Sequence, residues 1–330
     1  MNKTYLFITA LFVLIFMSCQ SRKKNNAEKQ NEIELVAEKQ LVFPLDEQTY
    51  YLSKSMFQFE ENGKEYLHFE NTQKSLYDIV IFDIENKQIA KRIPLHKTGP
   101  NGLPAVYGSR PSPDSKQILI SQNNIGRLST INNQGEVVHN YPVKTPEGRF
   151  TTFFFCSYYN APAFVKDSCI FLNQGIFKPN MKREDWPQTH MFASQNLETG
   201  KFEWVPIFYP PIFKEEYENI DGGYGFSYDY NYKESRLVCG FFGYDSLMVT
   251  DDLKHIRWYN AKSKYLKSMK PKLGNAMAGI NSIIEFCEAP MYWHIMYDKY
   301  RDVYYRFAEM PYKLAPNESP YDEPKGKEFS

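Results

Sequence analysis

Apolar and polar positions along the chain fall into short alternating runs separated by turn residues, and this alternation has two forms. The first form is a hairpin: Asp78 to Leu95 turning at Glu85-Asn86-Lys87, Gly126 to Val143 turning at Asn132 to Gly135, His190 to Ile207 turning at Glu198-Thr199-Gly200, and Asp245 to Asn260 turning at Asp251-Asp252. Side chains alternate between the two faces of a strand, and Asn, Asp and Gly are what tight hairpin turns require. A second hairpin type sits ahead of these, as in Phe57 to Phe69 with a turn at Asn62-Gly63, Ser109 to Ser121 and Phe226 to Phe241, and Trp293 to Phe307 matches the last of them. Two hairpins per unit make four strands, and units recurring at roughly 50 residues are the signature of propeller blades. No helical periodicity of 10–15 residues separates the strands, which argues against a βαβ fold.

The pattern therefore predicts an all-β protein, a β-propeller of four-stranded blades. About five blades are visible, near residues 55–95, 105–143, 150–207, 224–262 and 280 onward. The fifth has its first hairpin but then runs into a polar stretch, with Lys327 to Ser330 resembling a third strand just starting. Propellers close their ring to protect strand edges, so this pattern predicts a truncated sequence lacking about one and a half blades. A native end with an open final blade is the alternative.

Ahead of the strands the pattern changes twice. After Met1, Asn2 and Lys3, an uncharged apolar run of 13 residues from Tyr5 to Met17 is followed by Ser18-Cys19. A basic start, a short apolar stretch and a small residue describe a secretory signal, here residues 1–18. The run is shorter than the roughly 20 residues that cross a bilayer as a helix. A retained N-terminal anchor and a plain signal ending in Cys are the alternatives. Gln20 to Gln40 is polar and charged, and cannot bury enough surface to offset its ordering entropy. The expected organisation is thus a signal peptide (1–18), a lipidated flexible tether (19–40) and a propeller domain (41–330).

Composition refines this picture. Lys plus Arg and Asp plus Glu are both 39, so no broad positive field exists for nucleic acid, and none is expected as a partner. The chain holds 25 Tyr, 25 Phe and 4 Trp, an excess that favours strands. Beyond Cys19, the cysteines Cys156, Cys169, Cys239 and Cys287 lie in apolar strand-like runs and read as buried free thiols; Cys156 with Cys169 is the best candidate pair if any is bridged.

Phe16-Met17-Ser18-Cys19 resembles the lipobox of bacterial lipoproteins, which implies lipidation of Cys19 and a membrane as partner. Together with the charged tether, the Thr98-Gly99-Pro100-Asn101-Gly102 loop and the segment from Tyr297 to Arg306, the chain resembles a group of Bacteroidetes lipoproteins of unknown function with a TolB-like, six-bladed propeller fold. The resemblance implies a cell-envelope location and brings no catalytic residues.

Motifs for specific chemistry are sparse. The six histidines show no metal-binding spacing, the Gly-rich stretch from Asp221 to Ser227 lacks phosphate-loop spacing, and no nucleophile elbow occurs; no cofactor or metal is expected. Asp229, Glu285, Asp298 and Asp302 could converge at a propeller face, and Trp186, Trp204, Trp258 and Trp293 could stack on sugar rings, although large apolar residues chiefly fill the interfaces between blades. The expected ligand face comprises Trp293, His294, Asp298 and Asp229. The favoured function is an envelope-anchored binding or interaction module for a peptide, a glycan or a partner protein. A propeller-type carbohydrate-active hydrolase or lyase is the alternative.

Overall fold

The computed structural model describes residues 42–49, 56–71, 77–112, 116–122, 126–143, 157–158, 161–173, 188–210, 226–266 and 290–310. The expected signal, Cys19, the tether, Cys156, Cys287, Trp186, Glu285 and the segment Lys327 to Ser330 lie outside them. No helix among the described residues is long and apolar enough to cross a membrane.

Four sheets of four antiparallel strands follow one another along the chain. The first contains β1 (Phe57–Glu61), β2 (Lys64–Asn71), β3 (Asp78–Asp83) and β4 (Gln88–Pro94). The second contains β5 (Gly108–Pro111), β6 (Ile118–Gln122), β7 (Arg127–Ile131) and β8 (Val137–Pro142). A two-residue pair, β9 (Ser157–Tyr158) with β10 (Ala161–Pro162), leads into the third sheet of β11 (Phe164–Lys166), β12 (Cys169–Asn173), β13 (Phe192–Asn196) and β14 (Phe202–Trp204). The fourth contains β15 (Phe226–Asn231), β16 (Arg236–Phe241), β17 (Ser246–Thr250) and β18 (Arg257–Asn260), and a fifth sheet is the hairpin β19 (Met291–Asp298) and β20 (Val303–Glu309). In every sheet, strands pair in chain order, which is the up-and-down meander of a propeller blade. The fold is all-β among the described residues. One boundary differs from the sequence pattern: the third blade begins at Phe164, not near residue 150, and a separate short strand pair precedes it.

Burial explains why these strands read as they do. β6 is buried at every position and β18 is exposed at every position. A middle strand is covered on both faces by neighbouring blades, so its sequence (ILISQ) does not alternate cleanly. Each seam between blades has its own apolar filling. Ile79 and Ile93 of the first sheet meet Ile118, Ile120 and Ile131 of the second. Leu119 and Leu128 meet Ile170 and Leu172 of the third. Phe164 and Phe192 meet Tyr228, Tyr230 and Phe241 of the fourth, and Val238 and Val249 meet Ile295 of the fifth.

Every seam is also sealed by a tyrosine whose hydroxyl reaches backbone on the far side. Tyr77 donates to the carbonyl of Leu103 at 3.1 Å and accepts from the Val106 amide at 2.9 Å. Tyr141 donates to the Leu197 carbonyl at 2.6 Å, and Tyr228 to the Ala161 carbonyl at 3.1 Å. Tyr292 donates to Asp245 at 2.9 Å and accepts from the Ser263 amide at 2.8 Å. Aromatic bulk fills the seam while the polar tip satisfies loop backbone that would otherwise be buried alone. At the last seam Arg306 lies over the Tyr292 ring at 3.3 Å and donates to the carbonyls of Asp245, Ala261, Phe241 and Tyr244.

Two glycines permit this close stacking. Gly135, at φ +84°, sits where a Cβ would meet the Pro94 carbonyl oxygen at 1.9 Å, and Gly240 leaves room for Ile295. The free face of the first blade is covered by residues 43–49: Phe43 packs edge-on against Phe82 at 5.1 Å, and Arg92 pairs with both Asp46 and Asp78 at 2.7 Å. Among the described residues the fifth sheet meets the first blade at one rim, where Lys299 pairs with Glu65 at 3.1 Å and Glu60 at 3.3 Å, and Tyr300 donates to Glu65.

Cys239 is a fully buried free thiol, as its apolar strand suggests, and burial pushes it upward. Cys169 is also free and only partly buried, accepting from the Asn196 amide at 3.6 Å, so the Cys156–Cys169 bridge is not formed.

Removing the hydroxyl in Tyr228→Phe strands a buried carbonyl without changing volume. We expect a loss of about 1–2 kcal/mol in urea unfolding, with an unchanged m-value.

Candidate functional site

The first strand of each sheet is the innermost, and contacts between non-neighbouring blades locate the axis. Arg110, on β5 of the second blade, donates from Nη2 to the hydroxyl of Tyr232 at 3.0 Å; Tyr232 lies in the β15–β16 turn of the fourth blade. The same hydroxyl accepts from the Val165 amide of β11 at 3.3 Å. The guanidinium carbon of Arg110 stands 4.2 Å from the centre of the Phe57 ring on β1. Asp229 of β15 accepts from the Tyr297 amide of β19 at 2.8 Å. Residues from all five sheets thus converge around Arg110 and Asp229.

Arg110 is 6% exposed, and its Nη1 has no partner among the described residues. A buried N–H left unmet is costly, and a native fold retains one where a water, ion or ligand completes it. Asp229 lies deep among the inner strands yet keeps partial solvent exposure. Its two oxygens accept from the amides of Tyr230 and Tyr297, both at 2.8 Å. Burial raises its carboxyl above the ordinary carboxylate range, while those amides and the field of Arg110 act in the opposite direction. Arg110 and Asp229 attract each other without a direct hydrogen bond, since both oxygens are satisfied by backbone and Nη1 is open.

Beside them a buried polar chain ties the first two blades together. Ser109 donates to Glu70 at 2.5 Å and meets His68 Nε2 at 2.6 Å. Because the serine proton is committed to Glu70, its oxygen accepts from Nε2–H, and in the neutral ring the lone pair then lies on Nδ1. His68 Nδ1 has no partner among the described residues. Burial, and secondarily Arg110, lowers His68 to about 3.

The residues expected from sequence fall in separate places. Asp229 is on the axis. Asp298 caps its own hairpin turn, accepting from the amides of Tyr300 and Arg301 and from the Arg301 side chain at 2.9, 3.1 and 2.8 Å. Trp293, the extra residue of a bulge between Tyr292 and His294, stacks on Phe242 with ring centres 5.2 Å apart, and His294 leans on its cross-strand partner Phe307 at 5.8 Å. Asp302 joins the rim, accepting from Tyr297 at 2.7 Å and Lys233 at 3.3 Å. Trp204 stacks on His190, and Trp258 packs against Phe241 and Tyr244. Among the described residues no group of three or more His, Cys, Asp or Glu side chains is placed to hold a metal ion.

Arg110, His68, Ser109 and Glu70 escaped sequence reasoning. One signal was available: a histidine and a glutamate alternating with apolar residues in YLHFEN, and an arginine within the strand GSRP.

The His68 chain makes a pH prediction. Between about 6.5 and about 3 the unfolded chain binds a proton at His68 that the folded protein refuses, so stability declines as pH falls through that window and is fully present above it. His68→Gln should flatten that decline when urea unfolding at pH 7.5 and 4.5 is compared; an unchanged slope would refute the neutral buried histidine.

Residues 32–330 match the family described as a domain of unknown function, DUF4221. A member of that family from Bacteroides vulgatus, whose crystal structure is known, is 83% identical and superposes with a TM-score of 0.83, covering 90% of this chain and 82% of its own. A protein of Bacteroides fragilis, 9% identical, gives a TM-score of 0.47 over 81% of this chain and 74% of its own. The β-propeller domain of Cps50 (Swd1) from Myceliophteria thermophila gives 0.35 at 10% identity, over 66% and 58%. No curated protein matches the chain. The chain belongs to the DUF4221 family.

Proposed function

We propose that this DUF4221 chain is an envelope binding module, held to a membrane by a lipid on Cys19 and receiving its ligand at the propeller axis beside Arg110 and Asp229. The observation that carries this reading is the open Nη1 of a buried arginine at the point where all five sheets meet. A rigid ring of inner strands preorganises such a group, so little ordering entropy opposes binding. Both Asp229 oxygens hold backbone amides, which suits an acceptor in a binding site better than an acid or base that must exchange protons.

The ligand would be a peptide, a glycan or a segment of another envelope protein. Array binding of the purified protein tests this. Hits shared by wild type and lost in Arg110→Met support the axial site; hits that survive the substitution place the binding surface elsewhere. Silence on glycan and peptide arrays together with co-purification of an envelope protein would favour a protein partner. For the anchor, metabolic labelling with a fatty-acid analogue should disappear in Cys19→Ala, and persistent labelling would remove the lipid from the proposal.

A further inference from the structure

We infer that the ring of sheets has one built-in opening point, an exposed ionic clasp between the fifth sheet and the first that releases while the other four seams stay shut. Those four seams are filled by apolar clusters and sealed by the hydroxyls of Tyr77, Tyr141, Tyr228 and Tyr292. Where the fifth sheet meets the first, no apolar cluster among the described residues spans the junction. The contacts there are Lys299 Nζ on Glu65 and Glu60 at 3.1 and 3.3 Å, and the Tyr300 hydroxyl donating to Glu65. The side chains of Lys299, Glu65 and Glu60 are 46%, 35% and 56% exposed. Exposed pairs of this kind contribute little and are screened by salt, whereas the burial of apolar surface does not depend on charge. When the ring parts, it parts here.

The two sides of this junction are packed without each other. On the first blade, Val80 and Phe82 are covered by Phe43, in a segment fastened by the Arg92 pairs with Asp46 and Asp78. On the fifth sheet, Ile295 faces the fourth blade, so strand alternation turns Met296 the other way, together with Val303 and Phe307 across the ladder. These three are 39%, 39% and 43% exposed, against 1% for Ile295. The hairpin tip has a second hold on the opposite side, where Lys233 of the fourth blade reaches Asp302 at 3.3 Å, and Arg306 holds the carbonyls of Asp245 and Phe241. The fifth sheet therefore stays with the fourth blade when the clasp lets go. Arg110, Phe57, Tyr232 and Val165 belong to the first four blades, so the arginine keeps its partners. Release parts β1 from β19, the innermost strands of their sheets, and gives lateral access to the axis. The device holds whether or not a ligand binds there.

Pulsed dipolar EPR of the purified protein tests this, with spin labels on p-acetylphenylalanine placed at Glu85 of the first blade and Val303 of the fifth sheet, both exposed. That chemistry leaves the native cysteines unlabelled. A control pair at the exposed Val138 and Tyr259 reports on the seams from the second blade to the fourth. Lys299→Met, Glu65→Ala and about 1 M NaCl should each raise the open-to-closed ratio read from the Glu85–Val303 distances by about two- to fivefold, with the control distances unchanged. Urea unfolding establishes that each variant is folded. A Glu85–Val303 distribution indifferent to both substitutions and to salt overturns the clasp. Lengthening in salt alone assigns the release to other charges and overturns it equally. Lengthening of both pairs together overturns a single opening point.

Discussion

The seam between adjacent blades is the constraint from which the rest of this structure follows. Two flat sheets meeting face to face need bulky, close-fitting side chains, and they also bury the loops that carry the chain from one blade to the next. Tyrosine answers both demands, and Tyr77, Tyr141, Tyr228 and Tyr292 recur at successive seams with the same division of labour. The ring fills the gap and the hydroxyl reaches loop backbone across the seam. At the last seam the carbonyls of Asp245, Ala261, Tyr244 and, at the end of β16, Phe241 turn toward Arg306, and the chain supplies a cation to meet them. The aromatic excess is therefore mostly architectural.

Stacking blades this closely has a consequence at the centre. Inner strands from all sheets crowd around one axis, and a polar side chain there is cut off from water without gaining a ladder partner. His68, Ser109 and Glu70 resolve that problem by satisfying one another across the first seam. Arg110 resolves it in part, through Tyr232 and the face of Phe57, and keeps one nitrogen open. Low local dielectric makes such a group expensive to leave unmet and strong once met. Rigidity and an open donor are what a binding site needs, so the proposed site is a by-product of the same packing that holds the blades together. The charged contacts of Lys299 and Tyr300 with Glu60 and Glu65 at the rim are exposed and weak by comparison; they align the hairpin tips without sealing a seam.

Much of the strand architecture was legible before any coordinates. Asn62-Gly63, Gly135 and Gly200 all adopt the left-handed backbone that their turns require, and the hairpins around them occur where alternation places them. The turn at Asp251-Asp252 is longer than two residues, with Leu253 in the left-handed region, because Asp252 caps the amides of Lys254 and His255. The start of the third four-stranded sheet falls at Phe164 and not near residue 150, because Ser157–Tyr158 in the run FFFCSYY pairs with Ala161–Pro162 in a separate two-residue ladder. Asp298 and Trp293 attracted attention as a carboxylate and an aromatic on a tyrosine-rich hairpin, yet one caps its turn and the other packs on Phe242. Residue type alone does not distinguish a side chain consumed by its own turn from one left available.

By itself the sequence determined the elements: alternation with period two sets strands, Asn and Gly set turns, and their recurrence sets four-stranded blades. These are local properties, fixed by neighbours within a few residues. Which blades face each other across the axis is not local. Arg110 and Tyr232 are 122 residues apart and Arg110 carries no motif, so only the packing of the stacked sheets brings them together and leaves Nη1 open. Tertiary structure decided the site because a buried charge acquires its meaning from the partners that packing grants or withholds.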